Sequence, residues 1–362
     1  MQSGRTPERL TKRGLVAVSH AIERAALVTA EDGPLVVLAL FQRLPYFERE
    51  RAVYERIAGR AAVTVVGMVG ATPAELPAGA YPVLLDEAEE LAREWSVVAL
   101  TPRFGATLVA YDRGDVAPAA TLEAGRLFDG HWGFRRDEAL HEVIRLRERL
   151  AERLPAVARA RLDEVVARVR DIPAGPGESR AEAAIRMLAA RGERARRPEP
   201  ADAPTGLLDE PGLRRWTGVD GVTAAGTLPV AVVGVRVDEP AGAPERFGRR
   251  SAAREGQAVL GAVTGVLRPV DRAVRLADNE FLLILPALTE PQAVAVVERL
   301  RAAVAGLARG YPFVDFAVHA ALTVTARRPL PVAQVRDAVR WAVREGVPVA
   351  TFAPEHAAAG TF

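Results

Sequence analysis

The chain has 362 residues, 49% of them hydrophobic and 26% charged, so it can bury more than one core and is expected to form two domains. Acidic and basic residues nearly balance at a formal charge of +2, and no block of like charge stands apart, which argues against general nucleic-acid binding. Without cysteine there is no disulfide, thiolate nucleophile or thiolate metal site, and the five histidines show no ligand spacing, so no metal and no cofactor is expected.

Lys12 is the only lysine, and the Arg, Ala, Gly and Val bias fits a GC-rich bacterial genome such as an actinobacterial one. The N-terminus has no apolar leader core, and the longest apolar runs fall short of the ~20 residues of a bilayer helix. A cytoplasmic protein without membrane insertion is the expectation.

In chain order, the spacing of Leu10, Leu15, Val18, Ile22 and Leu27 predicts a helix from Thr6, with Thr6 as N-cap and Pro7 in the first turn. PLVVLALF (34–41) reads as a buried strand and YFERERAVYERIAGR as a helix. AAVTVVGMV, YPVLL, EWSVVALTP and ATLVAYD read as further strands. Two helices follow, DEALHEVIRLRERLAERL and AVARARLDEVVARVRDI, the second with a stripe at Leu162, Val165, Val169 and Ile172. PAGPGES (173–179) reads as a turn-rich break before another helix, and PEPADAP (198–204) as a stiff linker.

After the linker the order is strand (228–237), helix, a hairpin AVRLADNEFLLILP, helix, strand and helix. Such a β-α-β-β-α-β order predicts an open sheet with packed helices, the split arrangement of ferredoxin-like and nucleotide-cyclase-like cores. The expected layout is therefore α/β (α+β): a first domain over 6–153, a helical connector and linker over 154–203, and a second domain over 204–354. No internal repeat and no helix-turn-helix pattern is visible, so DNA binding is not expected.

Residues 204–353 resemble a GGDEF domain, the fold of diguanylate cyclases. PTGLLDEPGLRRW is similar to the family's opening signature, and RLADNEFLLILP stands where R-[LY]-G-G-[DE]-E-F and an apolar run to proline belong. The resemblance also implies that the active site is degenerate. Arg236 takes the place of the metal-binding Asp, while Asp238 matches the second acid of that pair. Magnesium needs hard anionic oxygens, which a guanidinium cannot supply. The guanine-contacting positions fall on Pro244 and Ala253. In the signature Ala277 and Asp278 replace the two glycines, Asn279 replaces the metal-binding acid, and only Glu280 and Phe281 keep their identity. The family's phosphate-binding lysine is replaced by Val343. No catalytic residue remains, and cyclase activity is not expected.

The same resemblance implies a retained inhibitory site. Arg268 and Asp271 form the family's R-x-x-D motif at the family's spacing from Ala277, and Arg299 falls on the further contributing arginine. These residues are expected to bind cyclic di-GMP, guanidinium to guanine O6 and N7 and carboxylate to the N1 and N2 hydrogens. The bland alternative is an arginine at a helix end and a turn aspartate. Residues 10–152 resemble the DICT sensory domain in LVAVSHAIERAAL, PLVVLALFQRLPYFERERAVYERIA and AREWSVVALTPRFGATLVAYD. Here His20 and Glu23 fall on adjacent turns of one helix. Phe41, Gln42, Arg43, Tyr46 and Phe47 make a polar-aromatic cluster at a strand end, of the kind that lines pockets. The alternative is that these residues, with Trp95 and Trp132, are core.

Two readings follow. One is a non-enzymatic signalling protein that binds cyclic di-GMP and relays to a protein partner, as a homodimer; the other is a nucleotide-independent docking or dimerisation scaffold with helices 137–172 as a two-fold contact.

Overall fold

The computed structural model describes residues 7–70, 75–173, 175–195, 207–217, 228–238, 249–307 and 316–354, with backbone alone for 192–195, 210 and 249–255. The linker 198–204, Thr6, Pro244, His356 and the side chain of Ala253 lie outside the described residues. Two compact units emerge, one of Met1–Arg113 with Arg126–Pro198, the other of Gly114–Gly125 with Glu199–Phe362.

The first unit holds a seven-stranded sheet. Its elements are β1 (Glu8–Thr11), α1 (Lys12–Thr29), β2 (Val36–Arg43), α2 (Leu44–Ala58), β3 (Val63–Val69), β4 (Ala80–Leu85), β5 (Glu94–Leu100), β6 (Gly105–Val116), β7 (Arg126–Gly133), α3 (Arg136–Arg149), α4 (Ala156–Arg170) and α5 (Pro176–Ala195). The strand order is β1-β7-β6-β5-β2-β3-β4. β2, β3 and β4 are parallel neighbours, and β5 runs antiparallel to β2. PLVVLALF is apolar throughout because both sheet faces are covered. Val37, Ala39 and Phe41 face Leu15, Ile22 and Ile57 of α1 and α2, while Val36, Leu38 and Leu40 share a core with Val143, Leu146, Leu162 and Val165 of α3 and α4.

Three expectations are corrected here. The first helix does not begin at Thr6: ERLT pairs as β1 with β7, and Thr11 is the N-cap, its Oγ1 accepting from Gly14 N at 3.2 Å. PAGPGES is not a break throughout, because α5 starts at Pro176. Glu178 accepts from Arg136 N at 2.9 Å, and the buried Arg136 side chain donates to Pro102 O (2.6 Å) and Ile172 O (3.3 Å), which fixes this corner. The stripe of α4 does not extend to Ile172, which lies past the helix and is 40% exposed, while Leu162, Val165 and Val169 are buried in the first unit's own core.

The second unit contains β8 (Leu207–Leu208), α6 (Glu210–Thr217), β9 (Val230–Asp238), α7 (Arg249–Gly265), β10 (Arg272–Ala277), β11 (Glu280–Pro286), α8 (Glu290–Leu307), β12 (Ala317–Thr325), α9 (Val332–Arg344) and β13 (Val349–Thr351). From β9 to β12 the order is the β-α-β-β-α-β expected, in an open six-stranded sheet β13-β12-β9-β11-β10-β8. One face packs on α7 and α8 through Val233, Val235, Phe281 and Leu283. The other packs Val232, Leu282 and Ile284 with Trp216 and Val335. Gly234 permits this second layer: a Cβ there would lie 2.6 Å from Val339 Cγ2 and 2.8 Å from Val335 Cγ1, so α9 sits directly on β9. Among the described residues no helix is long and apolar enough to cross a membrane.

Candidate functional site

The first unit carries a cavity of about 180 Å³ where α1, the start of α2 and the ends of β2, β5 and β7 meet. Its polar lining includes Lys12, Ser19, His20, Gln42, Arg49 and Glu50, and Phe41, Trp95 and Phe128 give it aromatic walls together with Tyr46. Lys12 Nζ stands 4.0 Å from the centroid of the Tyr46 ring. Behind the wall lies a buried ion pair, Arg126 with Asp112, whose side chains are 1% and 2% exposed. Arg126 Nη1 donates to Tyr46 Oη at 2.7 Å and Nη2 to Gln42 Oε1 at 3.4 Å, so this pair orients two lining residues. Gln42 Nε2 in turn donates to Arg93 O at 2.9 Å.

His20, Glu23 and Glu50 bring their ligand atoms within 4.8 Å of one another. His20 Nε2 and Glu50 Oε1 are 3.0 Å apart, and Ser19 Oγ donates to Glu23 Oε1 at 3.0 Å. Glu23 is 2% exposed and its Oε2 has no hydrogen-bond partner. Burial, and then the charge of Glu50, push the Glu23 carboxyl up to about 7. Trp95 Nε1, in the cavity wall, is also buried without an acceptor.

In the second unit the corner formed by β9, the β10–β11 turn and α9 is occupied by ion pairs. Arg236 and Glu280 are cross-strand partners, as are Arg236 and His319, so the three share one face of the sheet. Arg236 Nε donates to Asp238 Oδ1 at 2.7 Å and Nη1 to Glu280 Oε1 at 3.4 Å. Asn279 Nδ2 donates to the same Asp238 oxygen at 3.3 Å, and Arg336 Nη2 lies 3.8 Å from Glu280 Oε2. The hydrogen bond to Asp238 comes first in holding the Arg236 guanidinium above its ordinary value.

The hairpin tip is Asp278–Asn279, with Ala277 paired to Glu280 after a bulge between Arg275 and Ala277. Neither tip residue has positive φ, so this turn does not need glycine. Ala277 and Asp278 are exposed, Asn279 and Glu280 half-buried, and Phe281 is in the core at 2%. Arg275 holds the tip, Nη2 donating to Asp278 O at 3.2 Å.

Residues 1–113 match the DICT family model. That family is described as a sensory domain in diguanylate cyclases and two-component systems. The match covers the part of the chain that forms most of the cavity. Comparison with curated proteins finds no match. Among solved structures, the chain is similar to the GGDEF domain of DgcB from Caulobacter crescentus in complex with c-di-GMP, at 15% identity, over 43% of this chain and 98% of that one, with a TM-score of 0.34. It is similar to the diguanylate cyclase SiaD of Pseudomonas aeruginosa in complex with its activator SiaC, at 22% identity, over 60% and 79%, with a TM-score of 0.34. A third is the active GGEEF domain of a diguanylate cyclase from Vibrio cholerae, at 15% identity, over 35% and 85%, with a TM-score of 0.30.

Of the residues singled out in the DICT-like region, His20, Phe41, Gln42, Tyr46 and Trp95 do line the cavity. Arg43 does not; it pairs with Glu87. Phe47 is core, edge-on to Phe41 and Tyr54, and Trp132 is buried under the Arg186 guanidinium at 4.4 Å. Glu50, Arg126 and Asp112 were missed, because nothing local in their sequence context links α2, β6 and β7.

The expected nucleotide-binding corner is closed on itself. Asp271, its side chain fully buried, accepts from Arg268 N at 2.7 Å, from Arg268 Nε at 3.1 Å and from Nη2 at 2.8 Å. Arg268 Nη2 also donates to Pro286 O at 2.6 Å. Both Asp271 oxygens thus accept from Arg268 within the fold. Arg268 remains 37% exposed, with Nη1 making no hydrogen bond to the described residues. Arg299 is exposed on α8 and Val343 half-buried on α9.

Proposed function

We propose that this chain is a non-enzymatic signalling protein, in which a DICT-like domain takes the input and a GGDEF-like domain passes it on without making cyclic di-GMP. The observation that carries this reading is the Arg236 guanidinium bonded to Asp238 and facing Glu280. Magnesium would need those oxygens. A tethered monocation already engages both, and an incoming divalent ion would meet its repulsion as well as that of Arg336. Phosphoryl transfer is left without its electrostatic clamp. A calorimetric titration of the full chain with GTP and magnesium tests this: no saturable heat is expected, and stoichiometric binding would overturn it.

For the output, one reading is recognition of cyclic di-GMP at Arg268 with Arg299. It is favoured by the half-exposed Arg268, held in place by Asp271 and Pro286 O with Nη1 spare for a phosphate or guanine acceptor. The nucleotide-independent reading, docking of a protein partner or a second copy, is favoured by the closed Arg268–Asp271 pair. Titration with cyclic di-GMP, wild type against Arg268→Ala, separates them: heat lost in the variant supports the first, and no heat in either leaves the second.

A further inference from the structure

We propose that His20, Glu23 and Glu50 form a site for one divalent transition cation, of the zinc or manganese class, in the wall of the DICT-like domain's cavity. This stands on the cavity's own chemistry and holds whether or not the second domain is catalytically inert.

His20 and Glu23 lie three residues apart on α1 and so share one face of that helix, while Glu50 comes from α2. One imidazole nitrogen and two carboxylate oxygens suit borderline cations, and together with a divalent ion they form a neutral set. Two ligands bound at about 2.0–2.1 Å to a tetrahedral ion stand about 3.3 Å apart. His20 Nε2 and Glu50 Oε1 are already at nearly this spacing, 3.0 Å. All three ligand atoms lie within 4.8 Å, so the remaining approach is about 1.5 Å, within the reach of a side-chain adjustment.

Glu23 supplies the independent sign. Its side chain is buried, Ser19 satisfies one oxygen, and the other has no partner. An unpaired carboxylate oxygen inside a protein is costly, and coordination removes that cost. The buried Tyr54 hydroxyl also faces Glu23 without closing a geometric hydrogen bond, so it is the group that a bound ion would displace. His20 is 37% exposed and Glu50 21%, which leaves an entry path. Since His20 and Glu50 also line the cavity, a fourth coordination position can open onto its aromatic walls, where a small oxygen-bearing molecule would reach the ion.

The test uses the full chain, stripped with chelator, reloaded with ZnCl2 or MnCl2, desalted and measured by mass spectrometry for metal, with calorimetry for affinity. One equivalent retained by the wild type, and binding weakened tenfold or more by His20→Ala and by Glu23→Gln but not by Glu298→Gln on α8, is the expected result. Glu23→Gln keeps the side-chain shape, and its melting temperature in chelator should be no lower than that of the wild type, which separates loss of the site from loss of fold. Failure of the wild type to hold either ion, or undiminished binding by both site variants, overturns the proposal.

Discussion

Arg268 and Asp271 form a two-pronged pair, Nη2 to Oδ1 at 2.8 Å and Nε to Oδ2 at 3.1 Å, on a carboxylate with no exposed surface. Asp271 also caps the turn by accepting from Arg268 N. It is thus a structural residue of the helix-to-hairpin corner. Asp271→Ala should lower stability by about 2–3 kcal/mol in urea unfolding, with or without cyclic di-GMP, because three donors lose their acceptor. A variant as stable as the wild type would contradict this role.

The Arg126–Asp112 pair behind the cavity should be costly to break on one side. Asp112→Asn or Arg126→Met is expected to cost about 3–5 kcal/mol, as an uncompensated buried charge or its donors are left behind. Replacing both with apolar residues should recover much of that loss, since the desolvation cost disappears with the charges. Urea unfolding of the two single variants and the double variant measures the coupling. Strict additivity would refute the arrangement.

Stability of the chelator-treated protein should depend on pH through Glu23, which faces Glu50, His20, Ser19 and Tyr54. Its carboxyl is raised from 4.5 to about 7 in the folded state. The native state therefore binds the extra proton between about pH 4.5 and 7, and this contribution to stability falls as pH rises through that window. Above pH 7 Glu23→Gln should be the more stable protein by up to about 3 kcal/mol, and the gap should close towards pH 4.5. Melting curves across the window give the answer; a gap that widens on acidification has the wrong sign.

Arg236 can be turned into a gain-of-binding test. In a His20→Ala background, Arg236→Asp removes the tethered cation and sets three carboxylates, with Asp238 and Glu280, about one corner. Magnesium binding on the order of millimolar is expected by calorimetry where the parent shows none. Indifference of the variant to magnesium would mean that these side chains do not converge as described.

Much of the fold was legible because both sheets are covered on two faces. Runs such as PLVVLALF and FLLILP are short and bounded by proline and so read as buried strands, and α4 and α8 show helical apolar spacing. The losses were where pairing partners are distant. ERLT reads as the start of an amphipathic helix, and only its ladder with Leu127–Gly130 makes it a strand. RLFDGHWG, the partner strand, has polar residues at Asp129 and His131 that break a simple pattern. For the site, the aromatic-polar cluster at the end of β2 and the start of α2 announced the cavity, since Phe41, Gln42 and Tyr46 are near in sequence. The His20–Glu23 spacing was visible, but Glu50 completes the cluster from another helix, and Arg126 and Asp112 stand behind the cavity wall on β7 and β6. Arg236 at the end of β9 was visible in the sequence; its ion pairs with Asp238 and Glu280 required register across β9 and β11.

The most direct measurement is incubation of the full chain with GTP and magnesium or manganese, followed by chromatography for nucleotide products. With Arg236 seated against Asp238 and Glu280, no cyclic di-GMP should form over hours at micromolar protein. Accumulation of that product above a no-protein control, abolished by Glu280→Gln, would contradict the account.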